Sequence, residues 1–276
     1  MSQGTQMTEV LYHREGDTFN PQPPAGSPWH PSLLHGGAVA ALLGLLAEEQ
    51  VSSWSDFRIN RITMNLIRPV PMAPLVTRAR LERDGQRMKV VQVEVLAGDK
   101  PVARAEAIAQ RIGQVELPDY APRPAAAPQG PQGMPDFSIQ KMLDDKGLNI
   151  PEGFHTRVQV RALTPWVEQG KGTCWLALPL TVLEGVALTP FVRAAMISDL
   201  GNGVGQLHFG KGRGTINADI TLALFRYPAG EWLCLDSEAQ VQDTGLGIVH
   251  SQLFDQSGAC GYVLQTVQPN AEFRGS

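Results

Sequence analysis

The sequence predicts an α+β protein made of two tandem units, each with one buried helix and a set of antiparallel strands. Three observations carry this prediction. An apolar helix-forming run lies in each half of the chain, about four strand-like segments follow each run, and a proline-rich stretch separates the halves. The composition agrees, since 43% of the 276 residues are apolar and 18% are charged, which is enough to build a substantial core.

The first unit, residues 1–116, contains the longer helical run. Residues 11–19 predict one or two short strands, and the prolines of 21–31 predict irregular structure. Residues 38–50 are apolar nearly all round, which predicts a helix with little solvent contact that is too short to cross a bilayer. Alternation of apolar and polar residues then predicts four antiparallel strands with one solvated face, at 58–67, 75–83, 88–96 and 102–112.

Residues 117–136 carry six prolines among alanines and glycines, which predicts an extended linker between two domains. The second unit, residues 137–276, begins with a predicted short helix at 138–145. Its strands are predicted at 154–163, 173–180, 215–225, 232–241, 247–254 and 261–268. Each unit therefore runs through strands, one buried helix and a meander of about four strands, which is the pattern of an internal duplication.

The helix of the second unit is sharply bounded and carries an acid. Thr189 is a good N-cap, Pro190 fits the first helical position, and Gly201 or Gly203 is suited to the left-handed conformation that ends a helix. Asp199 falls on the apolar face and near the C-terminus, where the macrodipole disfavours negative charge. A residue that breaks two local rules is a candidate for function; the alternative is a solvated aspartate at a helix end.

The composition argues against several classes of function. With 23 basic and 27 acidic residues and no basic run, the chain is not expected to bind nucleic acid. No signal-like start and no membrane-length apolar run is present, which predicts a cytoplasmic protein without membrane contact. Three widely spaced cysteines predict free thiols. Neither metal-ligand spacing nor a Gly-x-Ser-x-Gly motif occurs, so no metal or cofactor is expected and a serine-hydrolase mechanism is disfavoured.

A long apolar helix that follows His35-Gly36-Gly37 and precedes antiparallel strands resembles the hotdog fold, in which an antiparallel sheet wraps around a central helix. Two such units with a proline-rich linker resemble the double-hotdog acyl-CoA thioesterases of the bacterial thioesterase II type. The resemblance implies an enzyme of fatty-acid metabolism that hydrolyses acyl-CoA to free acid and CoA. It also implies an acyl-CoA substrate as the partner, no cofactor, and assembly as a homodimer or larger homo-oligomer.

The family's catalytic trio is an aspartate on the second helix, a threonine or serine early in the next strand, and a glutamine on the last strand. By this resemblance the matching residues are Asp199, Asn217 and Gln265. The aspartate would activate a water molecule and the other two would position it. Asn217 departs from the family's hydroxyl, although an amide can still orient water. Thr215 and Thr221, on the same face of an ideal strand, are the alternatives.

The first unit matches the family less well in its polar residues. Gly44 stands where single-hotdog thioesterases carry their acid, and Ala107 overlays Gln265, so one active site per chain is expected. Gly37 is assigned to bind the thioester carbonyl through its backbone N–H, while His35 receives no catalytic role. Two alternatives stay open. One is an acyl-CoA-binding protein without chemistry, which the missing hydroxyl favours; the other is a hotdog hydratase or dehydratase, which would use a histidine and an acid.

Overall fold

The strands of the protein form one continuous sheet, and the computed structural model describes residues 9–145, 147, 150–164, 169–209 and 214–269. The first six strands are β1 (Glu9–Glu15), β2 (Thr18–Pro21), β3 (Phe57–Asn65), β4 (Leu75–Asp84), β5 (Met88–Ala97) and β6 (Lys100–Arg111). The other eight are β7 (Gln159–Ala162), β8 (Lys171–Ala177), β9 (Leu180–Leu183), β10 (Thr215–Asn217), β11 (Asp219–Leu224), β12 (Leu233–Val241), β13 (Gly247–Asp255) and β14 (Gly258–Pro269). The helices are α1 (Gly36–Val51), α2 (Ile139–Asp145), α3 (Phe154–Arg157), α4 (Pro190–Ser198) and α5 (Gly201–Val204).

The sheet runs through both halves of the sequence, in the order β7-β8-β12-β13-β14-β11-β3-β6-β5-β4-β2-β1-β9, with β10 also paired to β14. All these pairs are antiparallel except β1 with β9. The halves meet where β3 pairs with β11, with Ile62 opposite Leu222. They meet again where β9 lies parallel to β1, with Thr181 beside Val10. The four strands predicted after the first helix are confirmed as β3 to β6.

Helices α1 and α4 pack against each other as an antiparallel pair. At one end, Thr189 Oγ1 donates a hydrogen bond of 2.6 Å to Glu48 Oε2. At the other end, His35 lies beside Asp199. The buried helix predicted at 38–50 is confirmed as α1, and all its residues from Gly37 to Ala47 are buried. The start of the second helix is also confirmed, since Thr189 Oγ1 caps α4 by accepting from Val192 N at 3.1 Å.

Gly44 lies at the crossing of α1 and α4. A Cβ atom there would come within 3.1 Å of Ala195 Cβ and 3.8 Å of the Phe191 ring. The 3.1 Å distance is tighter than ordinary van der Waals contact, so a larger side chain at position 44 requires α4 to shift away from α1. Close packing of the two helices therefore disfavours an acid at position 44.

The strand predicted at 154–163 is wrong in its first part. Phe154–Arg157 forms α3, a single helical turn in which Thr156 Oγ1 accepts from Gly153 N at 3.1 Å and also bonds to the Gly153 carbonyl. Only Gln159–Ala162 is a strand. A threonine side chain can stabilise a helical turn through such local hydrogen bonds. These bonds outweighed the apolar alternation that predicted a strand. The turn places Phe154 and His155 against the start of α1.

Two further strand predictions and one helix end differ from the structure. The strand predicted at 173–180 is interrupted before Leu180, where Pro179 cannot donate to a sheet, and the chain continues as β9. The strand predicted at 215–225 breaks at Ala218 into β10 and β11. Gly201 and Gly203 do not take a left-handed conformation; they lie in α5. Gly201 is required for another reason, since a Cβ there would lie 2.6 Å from Gln265 Oε1.

Candidate active site

Asp199 is the C-cap residue of α4, and its carboxylate lies against the first residue of α1. The residue is only 7% exposed. A Cβ atom on Gly36 would be 2.4 Å from Asp199 Oδ1, so only glycine leaves room for this contact. The N-terminus of α1 carries the positive end of a helix dipole and N–H groups without intrahelical acceptors. The charge that α4 disfavours at its own C-terminus is therefore stabilised by α1.

Asn217 and Gln265 both donate hydrogen bonds to Asp199, so the three residues predicted from the sequence lie together. Asn217 Nδ2 is 2.8 Å from Asp199 Oδ1, at the end of β10. Gln265 is fully buried on β14, and its Nε2 donates to the main-chain carbonyl of Asp199 at 3.2 Å. Asn217 therefore contacts the carboxylate itself, whereas Gln265 contacts the backbone that carries it.

The two amides leave two acceptor oxygens open. Because carboxylate and carbonyl oxygens only accept, the NH₂ group of each amide must face Asp199, and its oxygen must point elsewhere. Asn217 Oδ1 and Gln265 Oε1 are both buried and have no hydrogen-bond partner. Buried acceptors of this kind are ordinarily paired, often with a bound water molecule. The site thus offers acceptors for a hydrogen-bond donor that enters it.

The hydroxyl alternatives to Asn217 do not contact Asp199. Thr215 is buried and its hydroxyl donates to Asn202 Oδ1. Thr221 Oγ1 lies 3.0 Å from Thr63 Oγ1 on the neighbouring strand β3. The expectation that all these positions share one face is wrong, because the break at Ala218 shifts the register along β14 by one residue. Asn217 is therefore the strand residue that reaches the acid.

His35 is a site residue that the sequence interpretation missed. It caps α1, with Nδ1 accepting from Gly37 N at 3.0 Å, and the same Nδ1 lies 3.0 Å from Asp199 Oδ2. Its ring stacks on Phe154 with centroids 4.6 Å apart and planes 24° from parallel. A histidine that caps one helix comes near an acid at the end of another only if the two helices are antiparallel. No local pattern in the sequence predicts this antiparallel packing of the two helices.

Gly37 is less available than its predicted role requires. Its N–H is donated to His35 Nδ1, and a Cβ on Gly37 would lie 2.6 Å from the Phe154 ring. In this geometry the Gly37 N–H is already occupied by His35 Nδ1. Gly36 is the first helical residue, and its N–H has no intrahelical acceptor. Gly36 N–H is thus the backbone donor that stays open beside Asp199.

His155 is a second histidine near the ring of His35. Its ring lies 6.2 Å from that of His35, and the residue is 7% exposed. Neither ring nitrogen has a partner at hydrogen-bonding geometry. Burial, with smaller effects of His35 and Arg157, lowers the pKa of His155 to about 3, although the nearby Pro151 carbonyl opposes the fall. The ring is therefore neutral at physiological pH.

The arrangement can hold and polarise a water molecule without a metal ion. It combines a shielded carboxylate, two amide donors with open acceptors, and a helix N-terminus. Within the part of the chain that the structure describes, no group of three or more histidine, cysteine or acidic side chains is placed to bind a metal. In the same described part, no helix has the length and apolar character needed to span a bilayer.

Family models match most of the chain. Residues 25–110 match the model described as acyl-CoA thioesterase N-terminal domain, and residues 121–268 match the model described as acyl-CoA thioesterase C-terminal domain. No curated protein matches the chain.

Solved structures with the same architecture cover nearly the whole chain. A putative thioesterase from Novosphingobium aromaticivorans has a TM-score of 0.70 at 18% identity, over 95% of this chain and 99% of that one. The acyl-CoA thioesterase II TesB2 from Mycobacterium marinum has a TM-score of 0.63 at 17% identity, over 94% and 95%. A conserved hotdog protein from Alicyclobacillus acidocaldarius has a TM-score of 0.70 at 16% identity, over 96% and 97%. These likenesses establish the fold as α+β with tandem hotdog units.

Proposed function

We propose that this chain, which belongs to the acyl-CoA thioesterase family and is a thioester hydrolase, cleaves acyl-CoA with a water molecule that Asp199 activates. The observation that carries this assignment is the buried Asp199 carboxylate, which receives a 2.8 Å hydrogen bond from Asn217 and touches the first residue of α1. A carboxylate shielded from solvent and held in one orientation is suited to act as a general base.

In the proposed reaction, the water donates one hydrogen to Asp199 and the other to an open amide oxygen of Asn217 or Gln265. Its lone pair is then directed at the thioester carbonyl carbon. As the carbon–oxygen bond forms, the water proton passes to Asp199 and negative charge grows on the carbonyl oxygen. The N–H of Gly36, which is open at the start of α1, is the donor for this charge. Collapse of the intermediate breaks the carbon–sulfur bond, and CoA leaves with the proton from Asp199.

The test is Asp199→Asn, which keeps the shape of the side chain but cannot accept the proton. We expect turnover of acyl-CoA, followed as free thiol, to fall by about 10²- to 10⁴-fold, the usual range for loss of a general base. The matched control is Asp236→Asn, which makes the same exchange at an exposed carboxylate on β12. Thermal unfolding of both variants shows whether the fold persists. Full activity in Asp199→Asn would reject Asp199 as the base.

A hotdog hydratase is the second candidate, because the contact between His35 and Asp199 supplies the histidine and acid that such an enzyme would use. Hydration of a 2-enoyl-CoA removes the conjugated double bond without releasing thiol, so the two reactions have separate signals. Thiol release with saturated acyl-CoA supports hydrolysis. Loss of enoyl absorbance without thiol supports hydration, and binding without either signal supports the non-catalytic acyl-CoA-binding protein.

The predicted homo-oligomer and the cytoplasmic location belong to the same proposal. Light scattering of the eluted protein tests the homodimer or larger assembly, and fractionation of the producing cell tests the location. The proposed division into residues 1–116, a linker at 117–136 and a catalytic unit at 137–276 needs one qualification. The start of α1, in the first unit, contributes His35 and Gly36 to the proposed site.

A further inference from the structure

His35 Nδ1 lies between two partners that require opposite proton states. Gly37 N, at 3.0 Å, can donate only to a bare ring nitrogen. Asp199 Oδ2, also at 3.0 Å, can accept only if Nδ1 carries a hydrogen, as long as the carboxylate is ionised. A bare nitrogen facing an ionised carboxylate at this distance would place two acceptors against each other. The two hydrogen bonds therefore exclude one another whenever Asp199 is charged.

We infer that His35 is a positioning residue for Asp199: in the active form its Nδ1–H donates to the carboxylate, and Gly37 N–H is released for the thioester carbonyl. This inference rests on the proposed thioester hydrolysis. The hydrogen on His35 Nδ1 links the base to the carbonyl-binding donor. When Nδ1 carries it, Asp199 receives a hydrogen bond in its ionised form and Gly37 N–H is free. The role that the family resemblance implies for Gly37 then requires His35 to direct its hydrogen towards Asp199.

The surroundings of His35 favour this assignment. The ring is held by its stack on Phe154, and its side chain is 13% exposed, so it has little freedom to turn away. The other titratable groups near it are His155 of α3, whose ring is 6.2 Å away, and Arg157, which acts on His155. Tyr12 of β1 contacts α1 further along, where its hydroxyl donates to Ala38 O at 3.0 Å. Burial keeps both His155 and Tyr12 uncharged at neutral pH. Asp199 is thus the carboxyl group in direct contact with His35.

Two substitutions separate positioning from capping. Asparagine can place its NH₂ group near the position of Nδ1 while its oxygen caps the third N–H of α1, that of Ala38, so His35→Asn keeps a donor for Asp199 and leaves Gly37 N–H unoccupied. Glycine is nearly as good an N-cap but has no donor, so His35→Gly keeps the cap and loses the contact. We expect His35→Asn to stay within about 10-fold of wild-type kcat and His35→Gly to lose about 100-fold, the usual effect of a base displaced by about 1 Å.

The pH dependence of kcat/KM distinguishes positioning from capping, because the loss of a purely capping residue would not change the pH profile. Without a donor, the carboxylate is less stable in its charged form, so the acidic limb of the profile should move to higher pH in His35→Gly and stay in place in His35→Asn. Equal activity and coincident profiles in the two variants would overturn the inference and leave His35 as a cap.

A measurement on the wild-type protein covers the case in which His35→Gly does not fold. The ¹⁵N chemical shifts of the ring distinguish a hydrogen on Nδ1 from one on Nε2. The inference expects the Nδ1–H form at neutral pH, and a bare Nδ1 at that pH would overturn it. Because this experiment involves no turnover, its outcome is independent of the Asp199→Asn test of hydrolysis.

Discussion

Gly36→Ala is the substitution that tests the geometry of the site most directly. The new Cβ would lie 2.4 Å from Asp199 Oδ1 and 2.8 Å from Asp199 Cγ. Ordinary contacts between heavy atoms begin near about 3.5 Å, so the carboxylate has to move by about 1 Å. That movement breaks its alignment with Asn217 Nδ2 and His35 Nδ1, which lie at 2.8 and 3.0 Å.

The expected effect is large on activity and small on stability. A displacement of about 1 Å at a catalytic group lowers turnover by about 100-fold, which corresponds to about 2.7 kcal/mol of transition-state stabilisation. The fold changes little, because the carboxylate lies at the end of a short side chain that can rotate aside. Alanine also has a higher helix propensity than glycine by about 0.8–1.0 kcal/mol in a helix interior, which offsets part of the lost contacts.

The assay is thiol release from acyl-CoA, measured together with thermal unfolding. Gly203→Ala is the matched control, because it is also a glycine in a helix and a Cβ there has nothing within 4 Å. We expect the control to keep wild-type turnover. If Gly36→Ala also kept wild-type kcat with an unchanged melting temperature, the close contact between Gly36 and the Asp199 carboxylate would have no catalytic meaning, and the argument for this site would fail.

Two further predictions concern the core around the site. Gly44→Asp adds a side chain 3.1 Å from Ala195 Cβ and an unpaired charge between α1 and α4. We expect chemical denaturation to show a loss of about 3 kcal/mol or more in the free energy of unfolding, with no gain in turnover. A stable variant with added activity would contradict the single-site prediction. His155→Leu removes a group whose pKa falls from 6.5 to about 3 on folding. The stability that this group contributes to the wild type is complete above pH 6.5 and falls as the pH drops towards 3, so the variant should lack this acid dependence. If wild type and variant lost the same free energy of unfolding between pH 7 and pH 4 in urea, the prediction would be contradicted.

Local sequence signals predicted the helices of the site well. Thr189 and Pro190 specified the start of α4, and the apolar run after Gly37 specified α1. These signals act within one or two turns of chain, where capping bonds and burial patterns dominate. The same reasoning drew attention to Asp199, because a carboxylate at a buried helix C-terminus violates two local rules.

Contacts between distant parts of the chain could not be predicted in this way. The pairing of β9 with β1 joins residues that are far apart in sequence, and no turn or alternation pattern encodes it. The one-turn helix at Phe154 depends on a local threonine bond that competed successfully with strand formation. The contact of His35 with Asp199 requires the antiparallel packing of α1 on α4, which is a property of the fold and not of either helix.

The antiparallel packing also explains why the proposed site needs both halves of the chain. A carboxylate at the C-terminus of an isolated α4 would face the negative end of that helix alone. In the folded protein the positive N-terminus of α1 meets it. Gly36 permits this approach on one side, and Gly44 permits the helix crossing that aligns it. The first half therefore contributes to the proposed site the helix end and the close contact that hold the acid of the second half in place.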